Sequence, residues 1–456
     1  MKGSPPPGPP PLLSLPPDFH LTSSPSGLAV ERGRFHLPLG EVGPELQAAL
    51  EMLASGGATE EDLLGRVQGL DLLRLHQLLA DLAERRLLCR TLRRGGEPAI
   101  TLVPFSRSGP EPRGSAPDRV VLSRFAFLRR EGGSWVAESP LAHSYLIVHA
   151  AGAPLLSRLA APLERDGLEA EEQGWIELLW EEGFLSAVEE EEDPDLTPWE
   201  FHDLLFHARS RSGRHRNRYG GTYPFRGAIE PLPALKAPMS TETVDLHRPD
   251  LERLIHQDLS FTRVLEERRS RREPGERPVT GQELGEFLFR SSRVREVRST
   301  ATHEVSDRPY PGGGAIYELE IYPVVNRCEG IGAGLYHYDP QNHRLERLSG
   351  LTSEARGLVE AAGAMAEAPA PDVLLVLAAR FRRVTWKYRS MAYAGILKNV
   401  GALYQTMYLV ATAMGLSACA LGGGDADLFA RAAGTRYEAE TSVGEMILNR
   451  TPSSPR

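Results

Sequence analysis

Apolar and polar side chains alternate along residues 28–39, the period of two expected of a short hairpin. The period then lengthens. Residues 46–53 carry leucines and alanines at helical spacing, and Thr59 stands three positions before Asp62, ahead of Leu63 and Leu64. That is a capping box with Asp in place of the usual Glu. Leu72, Leu73, Leu75, Leu78, Leu79 and Leu82 lay a stripe along a helix predicted over 70–87. Residues 88–92 and 99–105 read as strands joined across Gly95-Gly96, a wing-like hairpin. This order predicts a winged-helix-like unit over 27–105.

Residues 120–190 repeat the plan. Segments 120–129 and 134–137 flank Gly132-Gly133 as a hairpin, and helices are predicted at 144–149, 155–163 and 171–182. A second winged-helix-like unit is therefore expected over 118–192. The Pro/Gly/Ser-rich stretch 106–117 between the two reads as a linker. Residues 1–26, dominated by Pro, Gly and Ser, read as a disordered tail.

A longer pattern fills 250–450. It runs helix, Gly turn, strand at 316–325, strand at 335–338, helix at 353–366 and strand at 373–379. A long helix at 393–414, a second Gly turn, a helix and a strand complete it. The fold class is α+β with a central mixed sheet. The helix 393–414 is apolar on most faces, which predicts burial in a large core or a subunit interface.

The net charge of −9 argues against general nucleic-acid binding. Glu171, Glu172, Glu177, Glu181 and Glu182 lie on the last helix of the second unit, ahead of the run 189–192. They repel phosphate and predict a solvated acidic surface, or else a cradle for a peptide laid beside a sheet edge. Residues 193–249 form a connector. Within it the aromatic stretch 199–207 precedes Arg209, Arg211, Arg214, Arg216 and Arg218. It reads as an ordered segment lining the mouth of a site, although the arginines can equally pin it to an acidic domain. His202 and His207 are five apart, not at helical metal-pair spacing. Three cysteines without CxxC spacing give neither a disulfide framework nor a zinc site, so no metal is expected and a reducing cytoplasm is the simplest compartment. No apolar h-region and no membrane-spanning run is read, so no membrane association is expected.

The chemistry concentrates after residue 265. Arg268-Arg269-Ser270-Arg271-Arg272 offers guanidinium groups and a hydroxyl, a set that suits phosphate. Pro311-Gly312-Gly313-Gly314 and Leu421-Gly422-Gly423-Gly424 let backbone N–H groups approach a flat or anionic ligand. No GxxxxGK[ST] run supports a P-loop. The combination fits a phosphorylated planar cofactor.

These motifs, with 308–315, 334–339, Lys387-Tyr388, 415–425 and the 199–225 connector, resemble the nitroreductase-like flavoprotein superfamily. More narrowly they resemble its SagB/McbC-type branch, the azoline dehydrogenases of thiazole/oxazole-modified peptide biosynthesis. The resemblance spans about half the chain. It implies FMN as cofactor, with Arg268, Ser270 and Arg272 on its phosphate and Arg269 nearby. It implies Pro311, Gly312, Gly313 and Gly314 along the isoalloxazine ring, and Leu421, Gly422 and Gly423 near its N5 edge. Gly312 departs from the Ser usual in the family. Lys387 and Tyr388 match the pair implicated in catalysis. Adjacent residues cannot share one face of a helix or strand, so the pair must lie on a bend between Arg383 and Met391 if both serve. The resemblance also implies a homodimer with each flavin at the subunit interface, an azoline-bearing precursor peptide as substrate, and a cyclodehydratase complex as partner. Two other readings share the sequence: an NAD(P)H-dependent nitroreductase or quinone reductase, and a non-catalytic winged-helix scaffold or regulator with structural flavin.

Overall fold

The computed structural model describes residues 9–24, 27–32, 35–106, 109–188 and 193–453. The chain divides into two compact units, Met1–Asn217 and Arg218–Arg456. The boundary falls inside the expected connector, so residues 193–217 join the first unit and 218–249 the second.

In the first unit a hairpin (Gly27–Arg32, Phe35–Gly40), three helices (Pro44–Ser55, Glu60–Leu64, Gly69–Glu84) and a second hairpin (Cys89–Arg94, Glu97–Pro104) follow in the order the pattern predicts. The capping box forms: the Thr59 hydroxyl accepts the Asp62 N–H while the Asp62 carboxylate accepts the Thr59 N–H. Gly95 and Gly96 both take positive φ, as a two-residue turn between twisted strands requires.

Four expectations for this unit need correction. The leader is not a tail throughout: Leu12–Ser14 pairs with Cys89–Arg94, and His20–Ser24 pairs with Gly27–Arg32. Residues 1–8 and 25–26 lie outside the described residues. Residues 144–149 are not helical. Ser144–Val148 is a strand between Glu97–Pro104 and Ser134–Glu138, because its β-branched and aromatic side chains suit a pleated surface. That pairing puts strands of both expected winged-helix units into one six-stranded sheet, so they are not separate folding units.

The acidic face is not simply solvated. Glu172 and Glu182 are buried, and Glu182 is ion-paired to Arg86 (2.7 Å) and Arg90 (2.9 Å). Glu172 meets Arg158 and Arg94, and Glu177 meets Arg165. The run 189–192 lies outside the described residues. The connector arginines behave likewise: Arg209 pairs with Glu138 and Arg216 with Glu131. They pin residues 209–216 to acidic groups of the first unit, the second of the two readings open to them, whereas residues 222–229 of the connector contact the stretch that carries Lys387.

The second unit is built on a seven-stranded sheet. Its order is Thr243–Asp245, Arg344–Ser349, Gly334–Asp339, Leu319–Val325, Val373–Arg380, Glu440–Arg450, Leu416–Ala420. Every neighbouring pair is antiparallel, which corrects the expected mixed sheet. The strand Val373–Arg380 is buried along its whole length. Leu375 and Leu377 enter the core beneath the long helix Ala392–Ala413 and the helix Gly281–Ser292. Leu374, Val376 and Ala378 enter the opposite core, with Ser353–Ala366 and Ala426–Ala433. Two covered faces explain why this strand reads as an unbroken apolar run. The long helix is not buried all round: Ile396, Leu403 and Met407 are fully buried, whereas Tyr393 and Leu397 are exposed.

A buried polar cluster crosses the sheet. His337 contacts Glu346 (3.0 Å) through Nδ1 and Glu320 (3.1 Å) through Nε2. Burial alone would lower the imidazole pKa, but hydrogen bonds and charge from the two carboxylates raise it. Glu320 is shifted the other way, down to about 2, because His337 and Arg380 outweigh burial. The cluster also fastens incoming chain. Glu346 accepts the Met239 N–H, and Arg380 donates to the Pro233 carbonyl (3.0 Å).

Replacing His337 by Ala leaves two buried carboxylates without their shared partner and should destabilise the protein by about 3–5 kcal/mol in urea unfolding. A raised histidine contributes fully below its unfolded pKa and loses that contribution as pH rises through the folded value. The gap between wild type and variant should therefore narrow toward alkaline pH.

Candidate cofactor and active site

The short helix Phe381–Thr385 ends in a bend before the long helix begins at Ala392. Arg383 anchors it by donating to the carbonyls of Leu232 (2.6 Å), Ile316 (2.6 Å) and Glu304 (3.1 Å). Residues 222–229 brace the bend. The Lys387 carbonyl accepts the N–H groups of Thr222 and Tyr223, both at 3.0 Å, and the Trp386 indole donates to Ile229. Lys387 and Tyr388 thus sit on the bend, as their adjacency requires, and both reach Gly314. The Lys387 amine donates to the Gly314 carbonyl at 3.3 Å. A Cβ on Gly314 would lie 2.8 Å from that amine and overlap the Tyr388 hydroxyl. Gly314 also has φ 62°, so close approach and conformation both demand glycine. Burial, helped by the Arg383 charge, lowers the Lys387 pKa. Burial raises that of Tyr388, with the charges of Tyr223 and Glu318 adding to it, so its hydroxyl keeps its proton.

The turn at Pro311–Gly314 is held from beneath. The Gly313 N–H donates to the Asn399 side-chain oxygen at 3.0 Å, and the Asn399 amide donates to Glu318 at 2.9 Å. Glu318 is fully buried, which raises its pKa. The glycine at 312 has a local cause: a Cβ there would sit 2.9 Å from the Tyr317 ring, itself fixed by a hydrogen bond to the Tyr310 carbonyl. Sequence reasoning missed Asn399 and Glu318. The available signals were an amide within a long apolar helix and an acid at the start of an apolar strand.

The arginine box is an extended strap following the helix Phe261–Glu267. The Arg271 N–H donates to the Ala418 carbonyl, and Asn449 donates to that of Arg272. Arg269, Ser270, Arg271 and Arg272 are exposed, while Arg268 lies 5.3 Å from the centre of the Tyr408 ring. None of the four guanidiniums has a carboxylate partner among the described residues. The Tyr408 hydroxyl accepts the Ala420 N–H (2.8 Å) and lies 2.9 Å from the Ser270 hydroxyl, locking strap to strand. A set of unneutralised cations on a fixed backbone fits a phosphate.

Leu421, Gly422 and Gly423 line a cleft of about 660 Å³ walled by Phe381, Tyr393, Leu397, Tyr404 and Tyr437. The flat walls and side-chain-free rim fit a planar ring. Tyr393, Leu397, Val400, Tyr404 and Tyr408 recur at three- and four-residue spacing, so strap and cleft share one side of the long helix. Asn399 does not share it. It stands nine positions before Tyr408, about two and a half turns, and projects from the opposite side. The structure therefore brings together Lys387, Tyr388 and the first Gly turn, and separately Arg268–Arg272 and the second Gly run. It does not gather all the expected residues on one side of the helix.

Comparison with known proteins agrees with this architecture. Residues 265–448 match the nitroreductase family, and residues 120–216 match the cyanobactin oxidase ThcOx. A putative nitroreductase of Methanocaldococcus jannaschii is 32% identical over 181 residues, 40% of this chain and 85% of that protein. The microcin B17-processing protein McbC of Escherichia coli is 32% identical over 113 residues, 24% of this chain and 42% of McbC. The trifolitoxin-processing protein TfxB of Rhizobium leguminosarum bv. trifolii is 27% identical over 132 residues, 28% of this chain and 35% of TfxB. The chain thus spans less than half the length of the two peptide-processing relatives. The match to the Methanocaldococcus jannaschii protein, which extends over 85% of that protein, shows that this chain belongs to the nitroreductase family.

Proposed function

We propose that the protein is an FMN-dependent dehydrogenase that oxidises azolines to thiazoles or oxazoles in a ribosomally made peptide. The observation that carries this reading is the bend that brings both Lys387 and Tyr388 onto Gly314. A plain nitro- or quinone reductase has no need of a base there. The similarity to peptide-processing proteins and to a cyanobactin oxidase supports a peptide substrate and a multi-protein synthetase such as a cyclodehydratase complex.

In this reading Arg268, Arg269, Ser270 and Arg272 hold the FMN phosphate, and Leu421, Gly422 and Gly423 border its ring. Pro311, Gly312, Gly313 and Gly314 cover the ring from a second copy of the chain. The half-turn offset between Asn399 and Tyr408 supports such a homodimer. FMN supplies a two-electron acceptor for the hydride. The protein must take the substrate Cα proton. Lys387 suits that task because burial and Arg383 favour its neutral form, which has a free lone pair. Tyr388 retains its proton and donates a hydrogen bond to the substrate. Asn399 keeps the Gly314 carbonyl, and with it the Lys387 amine, in register. Among the described residues no helix is long and apolar enough to cross a membrane. A cytoplasmic site of action is part of the proposal.

Two measurements test the division of labour. Arg268→Ala and Arg272→Ala should each weaken FMN binding by roughly 1.5–3 kcal/mol, read by titration of flavin fluorescence. Lys387→Ala should slow azoline oxidation by ~10²–10⁴ at unchanged flavin content, followed as loss of two mass units per ring. Tyr388→Phe should cost less. The wild-type rate should climb with pH and level off below the range of an ordinary lysine, since the base acts only when deprotonated. A Lys387→Ala protein with full rate would assign the base elsewhere; one lacking flavin would make Lys387 structural.

A further inference from the structure

One buried ionisable group in the cleft has no part in the chemistry above. Glu445 lies on the strand Glu440–Arg450, is 6% exposed, and lines the cleft beside Gly422–Gly424. One carboxyl oxygen is held by the Ser442 hydroxyl. The Glu445 carbonyl accepts the Leu421 N–H at 2.9 Å, which ties this strand to the glycine run. Gly424 approaches so closely that a Cβ there would overlap the carboxyl group. Any other residue at 424 would displace it.

The groups that face Glu445 do not neutralise it. From the long helix comes the Tyr404 hydroxyl, packed against Gly444, its own pKa raised by burial and by the Glu445 charge. From the chain before the strand come Tyr437 and Glu438, which line the same cleft. From its own strand comes Ser442. No arginine or lysine pairs with Glu445 among the described residues, and burial outweighs the Ser442 hydrogen bond to raise its pKa. Two other buried carboxylates of this unit have such partners, Glu320 in Arg380 and His337 and Glu440 in Lys236, whereas Glu318 is held by the Asn399 amide beneath the first glycine turn. An uncompensated buried acid costs stability and gathers at functional sites. Its place beside a glycine run in an aromatic cleft points to a ligand.

We infer that Glu445 lies against the ring bound in this cleft and sets how the ring's reduction responds to pH. The inference rests on the FMN reading above. Protonated, Glu445 donates a hydrogen bond to a ring acceptor. Ionised, it places a negative charge beside a ring that is gaining electrons and disfavours reduction. Glu445 is a positioning and tuning residue; it takes no substrate proton.

The experiment uses the full chain loaded with FMN, with dithionite supplying two electrons and buffer the protons. Reduction potential is measured against pH for wild type, Glu445→Gln and Ser442→Ala. The wild-type potential should meet that of Glu445→Gln at acidic pH and fall below it as pH rises, with an inflection absent from the variant. Ser442→Ala removes a hydrogen bond that lowers the Glu445 pKa, so its inflection should move to higher pH. Parallel curves for wild type and Glu445→Gln would overturn the inference while leaving FMN binding intact. If Glu445→Gln does not fold, an unmoved inflection in Ser442→Ala overturns it. A chain that binds no FMN would overturn both the inference and the reading beneath it.

Discussion

The arrangement depends on the half-turn between Asn399 and Tyr408 on the helix Ala392–Ala413. Asn399 holds the first glycine turn and, through it, Lys387. Tyr408 holds the arginine strap through Ser270. Nine residues of α-helix separate the two by about 13.5 Å along the axis and by half a revolution about it. A rigid helix cannot bring both onto one ligand. In the proposed reading a second copy completes the site, its glycine turn and Lys387 facing the strap and cleft of the first.

Each half of that site has its own electrostatic character. The strap leaves guanidiniums that have no carboxylate partner among the described residues, a surface of positive charge that attracts an anion. The bend does the reverse. Arg383 is buried close to Lys387 and spends its donors on three backbone carbonyls, with no carboxylate in ion-pair contact among the described residues. Burial, helped by that charge, lowers the Lys387 pKa, which suits the base of the proposed reading.

Much of this was legible in the sequence. The two-period and helical runs of residues 28–105, the capping box at Thr59, and the unbroken apolar run of the central strand Val373–Arg380 follow from local side-chain physics. So did the requirement that Lys387 and Tyr388 lie on a bend. The misreadings share a cause. Ser144–Val148, whose side chains suit a strand, is fixed as one by pairing with Ser134–Glu138 and the distant Glu97–Pro104, and Leu12–Ser14 is ordered by Cys89–Arg94, contacts that no local pattern reveals. The strand sense of the central sheet is likewise set by long-range pairing. Asn399, Glu318 and Glu445 went unread because their meaning lies in what they touch: a backbone N–H, a helix amide and a glycine rim.

Complementation between two defective chains tests the shared site most directly. One chain carries Arg268→Ala and Arg272→Ala; the other carries Lys387→Ala. Each is inactive alone. In a mixed dimer one site collects both defects and the other collects neither. Co-expression should therefore restore azoline oxidation to roughly a quarter of the wild-type rate, since random pairing makes half the dimers mixed and each has one intact site of two. If strap and lysine serve the same site from a single chain, every site keeps a defect, and activity in the mixture would stay at the level of the separate variants.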